Sequence, residues 1–126
     1  IKPKIDSNTN ILVEKSYENY AWEKQYKGII ILDNGNIYTF KDQIDNITSK
    51  KFNKLSKSDL KLIKIYISEL DGNFEIENQN GNDIGSDIIY IYKNKEKIKI
   101  SETGEITGEN KSETAQKLLK LIKKYL

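Results

Sequence analysis

The sequence predicts an α+β domain, with an antiparallel sheet of about five or six strands and two helices packed on one face. Three observations carry this expectation. Two apolar runs, Lys27–Leu32 and Ile88–Tyr92, are each followed by turn residues and a returning strand. Two later segments begin with Ser-led caps and continue with apolar residues at helical spacing. Each hairpin also precedes one helix, so residues 26–70 and 88–125 read in the same order. That recurrence reads either as a duplicated ββα unit or as two instances of a common order.

Residues 1–10, IKPKIDSNTN, are polar and hold the only Pro. They read as a flexible N-terminal arm, leaving residues 11–126 as a single α+β domain. A chain of 126 residues can bury roughly two-thirds of its unfolded surface, enough for a core without staples.

Ile11–Val13 reads as a short first strand. From Glu18 the chain alternates, placing Tyr20, Trp22 and Tyr26 on one face and Tyr17, Ala21 and Gln25 on the other. The Ile run in Lys27–Leu32 implies burial on both faces. Asp33-Asn34-Gly35-Asn36 is a hairpin signal, because Asn-Gly tolerates the positive φ of a type I′ turn. Ile37–Lys41 returns as its partner. Asp42–Leu55 is polar, with a short helical turn expected over 45–52. Ser56-Lys57-Ser58-Asp59 then resembles a capping box, and Leu62, Ile63, Tyr66, Ile67 and Leu70 form the stripe of a helix stopped by Asp71-Gly72.

Phe74–Glu77 alternates as a short strand, and Asn78–Asp87 is a loop by composition. Ile88–Tyr92 and Lys97–Ser101 form a second hairpin across Asn94-Lys95-Glu96. A turn at Thr103-Gly104 leads to a strand stub at Glu105–Thr107. Asn110-Lys111-Ser112-Glu113 repeats the cap, and Ala115, Leu118, Leu119, Ile122 and Tyr125 mark the inner face of the last helix.

The absences narrow the chemistry. There is no Cys, so no disulfide, thiolate nucleophile or thiolate metal site. No His is present to act as an imidazole base or zinc ligand. All 21 basic residues are Lys, so no guanidinium fork exists for sequence-specific nucleic-acid reading. A net charge of +2 does not by itself imply a polyanion partner. No apolar run approaches the length of a transmembrane segment.

The best binding candidates are the aromatics Tyr20, Trp22 and Tyr26, which would stack on a ligand or anchor a partner if exposed, or fill the core if not. The lysine face of the last helix, Lys117, Lys120, Lys123 and Lys124, reads as a solvated face or as contact with an anionic surface. Glu75, Glu77, Asp83 and Asp87 surround an Asn/Gly loop, but an EF-hand register on Gly81 would put Ile76 at the first ligand position. Turn chemistry explains these acids better, and neither a metal nor a cofactor is expected. For catalysis the remaining groups are Asp, Glu, Ser, Thr, Tyr and Lys; a carboxylate pair is one option, for glycoside cleavage, and no nucleophile or phosphate-loop motif is present.

Tyr17-x-x-Tyr20-Ala21-Trp22, Gly28 and the Asp-x-Gly-Asn-Ile-Tyr core within Ile31–Phe40 resemble an uncharacterised group of small secreted or lipid-anchored proteins of Gram-positive bacteria. Thr103-Gly104-Glu105 and Asn110-x-Ser112-x-x-Ala115-x-x-Leu118 extend the likeness. Glu23 stands where members of that group tend to have Gly. The resemblance implies a removed leader and an extracellular or surface-anchored location, and it implies no reaction. The function expected is that of a non-enzymatic exported domain binding a protein or surface ligand. The alternative is a small cytoplasmic inhibitor or immunity-type protein that blocks a partner enzyme.

Overall fold

A computed structural model describes residues 4–19, 24–51, 53–79 and 85–126. The elements run β1 (Ile11–Asn19), β2 (Gln25–Leu32), β3 (Ile37–Lys41), β4 (Gln43–Lys50), α1 (Lys57–Ser68), β5 (Phe74–Gln79), β6 (Ser86–Lys93), β7 (Glu96–Gly104), β8 (Ile106–Asn110) and α2 (Glu113–Ile122). The α+β class is as expected, but among the described residues the antiparallel sheet has eight strands, not five or six, in the order β4-β3-β2-β1-β6-β7-β8-β5. The three-strand meander β1–β3 and its counterpart β6–β8 lie side by side, joined by antiparallel pairing of β1 with β6. The helix that follows each meander comes after four strands in the first half (β1–β4) and after three in the second (β6–β8), so the two halves are larger than the ββα unit expected and are not identical in strand count.

Strand extents explain the extra count. The short first strand expected over Ile11–Val13 continues to Asn19, with Glu14 and Ser16 buried within it. Where a helical turn is expected over 45–52, the chain instead forms the edge strand β4 over Gln43–Lys50. Register shifts opposite Thr39, Phe40 and Lys41 let Ile44 and Ile47 both pack on one cluster, despite their helix-like spacing. The loop expected over 78–87 is shortened at both ends by β5 and β6.

The two hairpin turns exchange the geometries that composition suggests. At Asp33–Gly35 only Gly35 has positive φ, the Gly35 amide donates to Leu32 O at 2.9 Å, and the Leu32 amide donates to Asn36 O at 2.9 Å. This is a three-residue loop closing on a glycine bulge, not the type I′ turn expected. The two-residue turn with both φ values positive is Asn94-Lys95, at 52° and 67°.

Both helices pack on one sheet face. Val13, Ile31, Ile37, Ile89, Ile91 and Ile100 meet Ile63, Ile67, Leu118, Leu119 and Ile122 in the main core. Each fully buried aliphatic side chain of this kind contributes about 1.5–3 kcal/mol. The Ser56 hydroxyl accepts from the Asp59 amide at 3.1 Å, and the Ser112 hydroxyl from the Ala115 amide at 3.2 Å, so both caps form as the sequence implies. Asn110, 2% exposed, donates to Asp71 O and accepts from the Ser112 amide, tying the exit of α1 to the entry of α2. In the N-terminal segment, Ile5 packs on the cluster of Ile30, Leu32, Tyr38, Phe40 and Ile47, and the Asn10 amide donates to Asp33 at 3.1 Å. Among the described residues, no helix is long and apolar enough to cross a membrane.

Candidate functional site

The sheet face turned away from the helices is the distinctive part of the molecule. Register fixes who shares it: Glu14 lies between Ile30 of β2 and Tyr90 of β6, Ser16 between Gly28 and Ile88, and Glu18 between Tyr26 and Ser86. Strand alternation therefore places two carboxylates and a hydroxyl of β1 on the same side as Tyr26, Tyr90 and Tyr92. Across the β6–β7 pair, Tyr92 faces Lys97 and Tyr90 faces Lys99.

Glu14 has no exposed surface. Its Oε2 accepts from the Tyr26 hydroxyl at 2.8 Å, and its Oε1 accepts from the Tyr92 hydroxyl at 2.7 Å and the Lys97 ammonium at 3.2 Å. A buried charge held by three donors meets the conditions under which burial is tolerated. Glu18 accepts from Tyr90 at 2.7 Å and from Ser16 at 3.2 Å. Lys97 lies 4.1 Å from the Tyr90 ring centroid and 5.6 Å from that of Tyr26, so its charge meets two aromatic faces as well as Glu14. Beside this group Lys99 pairs with the buried Glu102 at 2.6 Å and sits 4.9 Å from the Phe74 ring.

These contacts define the electrostatics. Burial above all, reinforced by hydrogen bonds to Glu14, drives the Tyr26 and Tyr92 hydroxyls well above their ordinary pKa. Burial and then Glu18 do the same for Tyr90. All three phenols are thus fixed as neutral donors. Their rings are half-buried, so the face presents aromatic surface and the Lys97 chain above a polar layer that holds them still.

Of the three aromatics singled out from sequence, Tyr26 belongs to this face, on the opposite side of the sheet from Tyr17, as alternation requires. Tyr20 and Trp22 lie outside the described residues. A cleft of about 440 Å³ opens beside Tyr26, lined also by Lys24, Lys27, Lys41 and Asp42. The acids considered for a cation do not converge: Glu75 and Glu77 are on edge strand β5, separated from Asp87 on β6 by β8 and β7, and Asp83 lies outside the described residues. Glu77 is paired with Lys111. Sequence reasoning passed over Glu14, Glu18, Tyr90, Tyr92 and Lys97. Their signal was the two-residue alternation of acids in β1 and of tyrosines in β6.

Fold and face together define a class: an eight-stranded antiparallel α+β domain with a helix layer on one side and a tyrosine-carboxylate network on the other. No protein-family model, no curated protein and no solved structure matches the chain.

Proposed function

We propose that this is a non-enzymatic binding domain, exported or surface-anchored, that engages a protein or surface ligand through the tyrosine face of its sheet. One observation carries the reading. Tyr26, Tyr90 and Tyr92 are partly exposed aromatics whose hydroxyls are pinned by Glu14 and Glu18. Tyrosines supply large contact area at low entropic cost, and rings already immobilised lose still less freedom on binding. The carboxylates serve that arrangement. Glu14 has both oxygens occupied and no surface of its own, so it holds rings in place and has no route to a substrate. Export is supported by the absence of Cys and by the residue pattern resembling secreted Gram-positive proteins.

Site-specific photo-crosslinking in cells that make the protein tests this reading. A crosslinker replacing Lys99, beside the tyrosines, should yield one dominant adduct accessible to protease on intact cells. The same group at Glu69, at the end of α1, should not yield it. Identical adducts from both positions, or none from Lys99, would retire the proposal, and protease-resistant adducts would retire the exported location.

A further inference from the structure

The helix layer differs in charge from the rest of the molecule. Lys57, Lys61 and Lys64 of α1 are all exposed. So are Lys117 and Lys120 of α2, with Lys123 and Lys124 in the turn that ends it. The acids in these two segments and their caps are Asp59, which accepts from the Tyr125 hydroxyl, Glu69 at the C-cap of α1, and Glu113, which pairs with Lys117 at 3.1 Å. Seven lysines and three acids give this layer +4; with the whole chain at +2, the remainder carries −2. Composition alone does not require that separation. Within the cationic field α1 also exposes two large aliphatic side chains, Leu62 at 39% and Ile65 at 38%, three residues apart and adjacent in sequence to Lys61 and Lys64. The core contacts of α1 are made by Ile63 and Ile67 with Leu60 and Tyr66 partly buried beside them, so Leu62, expected in the apolar stripe, and Ile65 both lie outside it.

We infer that the helix layer docks on an anionic lipid bilayer. Lysine heads at the level of anionic headgroups, with their methylene stems and two aliphatic side chains directed toward the acyl boundary, are the chemistry such a surface recognises. A soluble polyanion would use the lysines but leave Leu62 and Ile65 without a role. The inference stands on the helix face and is independent of the tyrosine face. Its geometric consequence is that the tyrosines, across the sheet, point away from the membrane.

The test is flotation of the whole chain with vesicles of phosphatidylcholine alone or mixed with phosphatidylglycerol. The protein should float with the anionic vesicles, stay behind with the neutral ones, and be released by added salt. Each lysine facing the leaflet should contribute about fivefold to affinity, so K61E/K64E/K120E should abolish flotation. L62S/I65S should weaken it, whereas Y92F should leave it unchanged. Circular dichroism of each variant reports whether the fold persists; Lys61, Leu62, Lys64, Ile65 and Lys120 are exposed, and it should. Failure of the native chain to float with anionic vesicles at low salt overturns the inference. So does flotation unaffected by K61E/K64E/K120E. Binding to a soluble polyphosphate as strong as to vesicles, and indifferent to L62S/I65S, also overturns it by showing a polyanion site instead of a bilayer one.

Discussion

The Tyr92 hydroxyl donates to Oε1 of Glu14 at 2.7 Å, across 78 residues of chain and the central β1–β6 seam of the sheet. The same carboxylate receives Tyr26 from β2 and Lys97 from β7, so one side chain collects donors from both meanders. Glu14→Gln places an amide donor among three donors and removes the charge. It should cost about 2–4 kcal/mol, the range for disrupting a buried charged group with dedicated partners. Tyr92→Phe removes one bond to that charge and should cost about 1–2 kcal/mol. Urea unfolding of both variants and their double mutant checks the connection. The double mutant should lose clearly less than the sum, and additivity within about 0.5 kcal/mol would mean that the contact carries no coupling.

The raised tyrosine pKa values fix the sign of a pH effect. In the unfolded chain the phenols ionise near pH 10, whereas in the folded protein Tyr26, Tyr90 and Tyr92 keep their protons well beyond it. Above about pH 10 the unfolded state therefore binds fewer protons than the folded one, and stability falls as pH rises. Below that value this contribution is fully present. Tyrosinate absorbance should show these three of the eight tyrosines ionising only in step with cooperative loss of the circular dichroism signal. Gradual ionisation of all eight in a protein that stays folded would contradict the network.

How far these features could be read in advance depends on how local they are. Ser56 and Ser112 each reach an amide three residues on, so both caps were legible from spacing alone. The β2–β3 and β6–β7 hairpins were legible for the same reason. Glu14 was not, because a lone acid between Val13 and Lys15 reads as solvated until strands distant in sequence bring its donors to it. Strand β4 was hidden by the spacing of Ile44 and Ile47, which mimics a helix and is reconciled with a strand only through the irregular pairing opposite Phe40. Tyr26 could be picked out as an aromatic worth attention, yet its role depends on Glu14, which alternation within its own segment does not reveal.

The turn at Asn94-Lys95 holds a lysine at φ 67°. A non-glycine residue in that region is strained by about 1 kcal/mol, and the second position of a type I′ turn favours glycine for this reason. Lys95→Gly should therefore stabilise the domain by about 0.5–1 kcal/mol, after allowing for the greater freedom glycine gives the unfolded chain. A rise in thermal midpoint would be the observation in favour. A fall would show that Lys95 makes a contact outweighing the backbone strain.

Gly28 is constrained in the opposite sense. It pairs with Ser16 and Phe40 in the middle of the sheet, and a Cβ built on it would lie 2.0 Å from the Lys15 carbonyl oxygen and 2.8 Å from Ser16 Cα. Both obstacles are backbone, so no rotamer change relieves them, and β1 would have to move away from β2. That movement would carry Glu14 and Glu18 away from Tyr26, because all three are placed by the same strand pair. Gly28→Ala should thus cost about 1–3 kcal/mol, the range for forcing extra atoms into a packed site. It should also weaken the tyrosine network, lowering the pH at which the tyrosines begin to ionise. An alanine variant with native stability and an unchanged alkaline titration would show that the strands can separate locally without disturbing Glu14. In that case the anchoring of the rings would depend on side-chain contacts more than on the register of β1 and β2.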